Sequence, residues 1–178
     1  MVRIPNPALV ILCGPAGSGK TTFALRHFPA TAVVSSDRCR AMIADDESNI
    51  SVSRDAFELF HQIIGTRLKH RRLTVADSTA LQPDTRKDLR QIARRWEVST
   101  TIILFDVSEE TCQKWDERRQ RRVGRPVIRR QWERFQRVLR DVSKEGYDQV
   151  VILGEQDLAK SRIEILRPAA ITDARRSE

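Results

Sequence analysis

The sequence predicts an α/β fold, a parallel five-stranded sheet with helices on both faces, and three observations predict it. Short apolar runs of strand length alternate with segments whose apolar residues recur at helical spacing, the order of a parallel sheet. The first run leads straight into a glycine-rich loop and a helical segment. Length and composition agree: 178 residues, 40% hydrophobic and 31% charged, make one globular domain able to bury a core.

The elements follow in order. Ala8-Leu9-Val10-Ile11-Leu12-Cys13 is the first strand, and Thr22 to Phe28 is helical with Pro29 as its stop. Thr31 to Ser36 reads as a second strand ending at Asp37. Ser53 to Arg72 carries Ala56, Phe57, Leu59, Phe60, Ile63, Ile64 and Leu68 on one broad helical face. Leu73 to Asp77 is a third strand. Pro83 to Arg95 is a helix whose proline stands where a first turn tolerates it. Val98 to Phe105 is a β-branched fourth strand. A helix from about Glu109, an arginine-rich segment broken by Gly124 and Pro126, and a helix from about Val127 to Ser143 form a lid at about 109–143. Gln149 to Leu153 is the fifth strand, and a tail with short signals runs from about residue 154. The whole of 1–178 is read as one domain.

The loop Gly14-Pro15-Ala16-Gly17-Ser18-Gly19-Lys20-Thr21 fits G-x-x-x-x-G-K-[ST], the P-loop pattern, at every fixed position. Strand, loop and helix in this order aim backbone N–H groups and a helix N-terminus at a phosphate. The expected nucleotide-binding residues are Gly14, Ala16, Gly17, Ser18, Gly19, Lys20, Thr21 and Thr22. Lys20, expected exposed in a preformed loop, would reach the β- and γ-phosphates, and the Thr21 hydroxyl would sit on Mg²⁺. The chain therefore reads as a binder of nucleoside triphosphates with a P-loop NTPase fold.

No apolar stretch approaches the roughly 20 residues of a membrane span, and Met1 to Pro7 lacks a signal region. Cys13, Cys39 and Cys112 form neither a disulfide framework nor a metal pattern. A cytoplasmic protein is expected. The net charge of +8 suits a polyanionic partner. Arg118, Arg119, Arg121, Arg122, Arg125, Arg129 and Arg130 cluster with no acid between them, either to contact phosphate through their planar forks or as a solvated basic face.

In open parallel sheets ligands bind beyond the carboxyl ends of the strands. That rule gathers the loop, Asp37, Asp77 and the arginine segment at one edge. Asp37 can accept a proton from a hydroxyl nucleophile, or cap a helix, or both. Arg40, three residues on, would share its face and hold the acceptor's phosphate. Asp77 ends an apolar strand, where a carboxylate can organise Mg²⁺; a cap or turn residue is the plainer reading. No Asn-Lys-x-Asp guanine motif occurs, and the lack of an Asp-Glu pair after the third strand tells against a motor or AAA-type ATPase.

From about Ala8 to Leu153 the chain resembles the kinase domain of bacterial polynucleotide kinase-phosphatases, which are similar to phage polynucleotide kinases. The resemblance is carried by the loop, Val34-Ser35-Ser36-Asp37-Arg38-Cys39-Arg40, Asp45-Asp46-Glu47, Leu73-Thr74-Val75-Ala76-Asp77-Ser78-Thr79, Cys112-Gln113 and Val127-Ile128-Arg129. It implies ATP- and Mg²⁺-dependent phosphorylation of a 5′-hydroxyl end of DNA or RNA, single-stranded or at a terminus. Asp37 would be the general base and Arg40 the acceptor contact. Arg119 and Arg122, on the pattern's later arginine positions, would form the lid over the ATP phosphates.

The chain also departs from the pattern. Lys114-Trp115-Asp116 stands where x-Arg-Asn is expected, Ala80 replaces an asparagine, and the lid is about one residue shorter. The phosphatase and ligase-like modules are absent from the sequence, so separate partners would supply those steps. The competing readings are a P-loop small-molecule kinase, for a sugar or drug or of zeta-toxin type, and a non-catalytic NTP-binding switch.

Overall fold

The computed structural model describes residues 1–166. In chain order the elements are β1 (Val2–Ile4), β2 (Ala8–Cys13), α1 (Lys20–His27), β3 (Val33–Ser35), α2 (Ser36–Ala44), α3 (Ser53–Lys69) and β4 (Thr74–Asp77). They continue with α4 (Pro83–Arg95), β5 (Ser99–Asp106), α5 (Glu109–Glu117), α6 (Arg125–Asp141), β6 (Gln149–Gly154), α7 (Glu155–Lys160) and β7 (Ile163–Ile165).

The main sheet has five parallel strands in the order β3-β4-β2-β5-β6, as the alternation of runs and helices requires. β2 is buried at every position because both faces are covered. Leu9, Ile11 and Cys13 point to one side, into a core with Phe60, Ile64 and Leu68 of α3, Leu89 of α4 and Phe135 of α6. Ala8, Val10 and Leu12 point to the other and meet Phe23, Ala24 and Phe28, with Leu158 of α7 packed against them. The period of two splits one strand between two cores.

The chain from residue 154 holds more than the sequence signals suggested. α7 starts beside β6, with the Gly154 N–H donating to Asp157 Oδ2 at 3.0 Å. β7 then pairs in parallel with β1, Val2 opposite Ile163. This small sheet covers Ile4, which is fully buried. The rest of the expected tail, 167–178, lies outside the described residues. Among the described residues no helix is long and apolar enough to cross a membrane.

One boundary is corrected. The second strand ends at Ser35, and Asp37 lies inside the first turn of α2. The cap of that helix is Ser35, whose Oγ accepts the Arg38 N–H at 3.3 Å. A serine at this place satisfies an otherwise unpaired first-turn donor and leaves the Asp37 carboxylate free for other contacts.

Candidate active site

β2 ends in the middle of the sheet, between β4 and β5, and the loop turns there. Gly17 and Gly19 have φ of 79° and 85°, which an L side chain rarely adopts. Gly17 is also held by contact: a Cβ there would lie 2.3 Å from the Cys112 carbonyl oxygen of α5. The loop is braced from within, the Ser18 hydroxyl donating to Pro15 O at 2.8 Å.

Lys20 is buried, 7% exposed, which corrects the expectation of an exposed side chain. Its ammonium donates to Gly14 O at 2.9 Å, Pro15 O at 2.6 Å and Ser18 Oγ at 3.3 Å. A buried cation must find oxygen partners, and the loop's own carbonyls supply them. Burial pulls its pKa down from the usual lysine value, and Asp77 opposes the shift.

The next residue contributes the second half of the site. Thr21 Oγ1 donates to Asp77 Oδ2 at 2.7 Å. Asp77 is 4% exposed at the end of β4, and burial holds its carboxyl above the usual aspartate range against the Thr21 hydrogen bond. These two oxygens fit Mg²⁺: the donors are hard, and with only two from side chains most positions are left to phosphate and water, as Mg²⁺ favours. No cluster of three or more His, Cys, Asp and Glu occurs among the described residues that would suit another metal better.

Lys20, Thr21 and Asp77 share a cavity of about 260 Å³ with Ala16, Gly17, Asp37, Arg40, Arg119 and Gln131. Asp37 and Arg40 pair along α2 at i,i+3 spacing. Arg40 is mostly buried and also donates from Nε to Glu47 O at 2.8 Å. Of the sequence-expected residues, those named here come together from the loop, α1, α2, β4 and the segment after α5; Gly19 and Thr22 line the cavity described next, and Gly14 and Ser18 belong to the loop without lining either. Arg122 is exposed and lines neither this cavity nor the one described next. The chain from 118 to 124 is not helical, so regular spacing does not carry Arg122 to the place that Arg119 reaches. Arg121 lines neither cavity either, but pairs at the acceptor edge, at 3.7 Å from Asp37 Oδ2 and 3.1 Å from Glu47 Oε2.

A second cavity, about 440 Å³ and mainly apolar, lies on the other side of the loop. Gly17, Gly19, Thr22, Phe23, Arg26, Trp115, Arg118, Arg119, Leu158 and Ala159 line it. Trp115 covers Gly19, where a Cβ would stand 3.4 Å from the indole. The residue that replaces an expected lid arginine is thus a wall of this cavity. Its neighbour Asp116 is 2% exposed and accepts the Val123 and Gly124 N–H groups at 3.0 Å, which fixes the turn between α5 and α6.

Sequence reasoning missed Trp115, Leu158, Glu47 and Gln131 as parts of the site, and named Arg121 only within the arginine cluster. Gln131 Oε1 accepts the Ala16 N–H at 2.7 Å, so α6 touches a loop amide directly. Ala80 replaces the expected asparagine at φ 48°, a conformation asparagine adopts more readily. Its carbonyl accepts Arg86 Nη1 at 2.8 Å, so backbone serves there. Burial pushes the Cys13 thiol up to about 12 and Cys112 to about 11, which keeps both protonated.

Fold and loop together define a kinase-like P-loop domain, built to bind a nucleotide. The chain belongs to the AAA domain family, whose model matches residues 9–142. The family bears that name although the Asp-Glu pair of an AAA-type ATPase is absent: Ser78 follows Asp77. No curated protein sequence matches the chain. Among solved structures, a chain of the Pnkp1/Rnl/Hen1 RNA repair complex is similar at TM-score 0.67 and 20% identity, covering 78% of this chain. The match spans 47% of that longer chain. A gluconokinase from Sinorhizobium meliloti 1021 is similar at TM-score 0.55 and 19% identity, over 88% of each chain. The Mycobacterium tuberculosis APS kinase CysC, solved with AMPPNP and APS, is similar at 0.53 and 12%, over 89% of this chain and 100% of that one. At these identities the likeness shows the fold, and the names differ too much for the fold to name the acceptor.

Proposed function

We propose that the protein is an ATP- and Mg²⁺-dependent kinase that transfers the γ-phosphate to the 5′-hydroxyl end of DNA or RNA. One observation carries the reading: a carboxylate and a guanidinium, Asp37 and Arg40, open into the same cavity as Lys20, Thr21 and Asp77. A 5′-terminal nucleotide needs that pair, since its hydroxyl lies a few bonds from its first phosphodiester. The net charge of +8 supports a polyanionic acceptor.

In this mechanism the loop amides and Lys20 hold the β- and γ-phosphates, the ammonium exchanging the Gly14 and Pro15 carbonyls for phosphate oxygens. Thr21 and Asp77 would hold Mg²⁺, which neutralises charge across the phosphates. Asp37 takes the proton from the 5′-hydroxyl as its oxygen bonds to the γ-phosphorus and the bond to the β-phosphate oxygen breaks. Arg40 holds the adjacent phosphodiester. Arg119, which lines both cavities, balances charge on the transferring group. Arg122 joins it only if the 118–124 turn rearranges around the nucleotide. The apolar cavity at Trp115 suits the nucleoside, whose base can stack on the indole. A phosphatase and a ligase on other chains would complete the repair of ends, in the cytoplasm.

A small-molecule acceptor is the second reading, favoured by Arg121. Its contacts to Asp37 and Glu47 narrow the acceptor side. Labelled ATP offered with a 5′-hydroxyl oligonucleotide, and separately with gluconate or another small alcohol, decides. Label on the oligonucleotide supports the proposal, label on the small alcohol overturns it, and hydrolysis without transfer makes the protein a switch.

A further inference from the structure

The 17-residue helix α6 holds Gln131 against the P-loop at one end and runs away from the cavity. Its buried face is Ile128, Phe135 and Val138. Its opposite side carries Arg130, Arg134, Arg137 and Arg140, all exposed. At 3.6 residues per turn these four fall within about 120° of arc and span about 15 Å along the axis. None has an ion pair or side-chain hydrogen bond among the described residues. Some basic residues elsewhere are paired, Arg54 with Glu58 at 3.3 Å on α3 and Lys114 with Glu110 at 2.8 Å on α5, as is Arg129 with Glu133 at 3.4 Å beside the row.

Glu133 and Asp141 stand at i+3 and i+4 spacing from Arg130 and Arg137 and offset part of the row's self-repulsion, but four guanidinia against two carboxylates leave the face net positive. A polyanion laid along it meets that surplus. The steps of three or four residues put one guanidinium on each turn, a ladder that a strand's phosphates can follow. Arginine matches phosphate through its planar fork. Protein interfaces centre on apolar or aromatic anchors, and this arc has none, only Glu133, Gln136 and Asp141 beside the arginines.

We propose that the exposed arginine face of α6 is a binding surface for single-stranded nucleic acid, carrying the strand beyond its reacting 5′ nucleotide. This rests on the polynucleotide reading and extends it from a terminal nucleotide to several. The contact is with backbone and is independent of sequence.

The test compares the parent with Arg134→Ala/Arg137→Ala and Arg134→Glu/Arg137→Glu, each checked for an unchanged melting profile. Anisotropy of a labelled 5′-hydroxyl 20-mer is measured across a salt series. Removing two phosphate contacts should lower the slope of log K against log salt by about 1.4 for a single strand. In kinase assays, the advantage in KM of the 20-mer over a nucleoside 3′-monophosphate should fall at least about tenfold. Arg54→Glu on α3 controls for total charge and should leave the slope unaltered. An unaltered slope in the α6 variants, or an equal effect of Arg54→Glu, overturns the surface. So does preserved oligonucleotide binding together with lost binding of an acidic protein. If the parent binds the 20-mer through α6 but never phosphorylates it, the surface stands and the kinase reading falls. If it phosphorylates the 20-mer and the α6 variants do so as well as the parent, the reverse holds.

Discussion

The two sides of the cavity are built in different ways. On the loop side the polar side chains are held by the loop itself or by the neighbouring strand: Lys20 by Gly14 and Pro15 carbonyls, Ser18 by Pro15, Thr21 by Asp77. Lys20 and Asp77 are buried, and the glycines are fixed by φ and by contact with α5. On the other side Asp37 is 52% exposed, and its partners Arg40 and Arg121 are in turn shared with Glu47. Backbone shapes the first side and exchangeable ion pairs shape the second. A site built on backbone suits one group that all P-loop substrates share, the polyphosphate. A site built on exposed charged side chains can be refitted to a different acceptor without touching the fold.

That contrast is open to test from both sides. Asp37→Asn should lower kcat the most, by up to about 10⁴, with ATP affinity within a few-fold of the parent in equilibrium binding. A matching loss of ATP affinity would make Asp37 part of the loop side. Arg119→Ala should reduce kcat by about 10³ while Arg122→Ala costs less than about tenfold; equal effects would show that the 118–124 turn closes over the nucleotide. Lys20→Ala should cost about 10² to 10³ in kcat/KM, and near-parent turnover would remove the P-loop from the chemistry. Arg40→Ala should raise the acceptor KM by about tenfold, one charged hydrogen bond's worth, with ATP KM unmoved.

The smallest effect reads the loop side through stability. Burial raises the Asp77 pKa in the folded state. Below the usual carboxylate range both folded and unfolded chains are protonated and nothing is lost. Between the usual and the raised value the unfolded chain gives up its proton first, so the parent loses stability as pH rises through that window and has lost it in full above the folded pKa. Asp77→Asn removes the charge and keeps an acceptor for Thr21. In chelator it should melt higher than the parent near pH 7, each kcal/mol being about 2–4 °C, and the gap should close near pH 3. A gap that persists in acid, or one of opposite sign, would contradict the assigned cause.

The loop side was also the more legible in the sequence. Its residues are contiguous, and the glycines, Lys20 and Thr21 have one conformation that serves them. The five strands were found because each is a compact apolar run. β1 and β7 were not, since three residues carry no period and their pairing joins chain ends 161 residues apart. Lys20 was expected exposed because a charge usually is; the carbonyls that bury it belong to backbone, which the letters do not display. Arg121 and Arg122 are equivalent as letters, and only the irregular 118–124 turn separates them. Gln131 and Trp115 reach the loop across tertiary contacts, for which neither residue type gives a local signal.

The 2.3 Å approach at Gly17 has a mechanical consequence. With no room for even a methyl group between loop and α5, any side chain at residue 17 would have to push the two apart, so this contact ties the start of α5 to the floor of the cavity. At the other end, Asp116 clips the 118–124 turn through the Val123 and Gly124 amides. The seven residues that carry Arg119 and Arg121 past the cavity are therefore a short strap tethered at both ends.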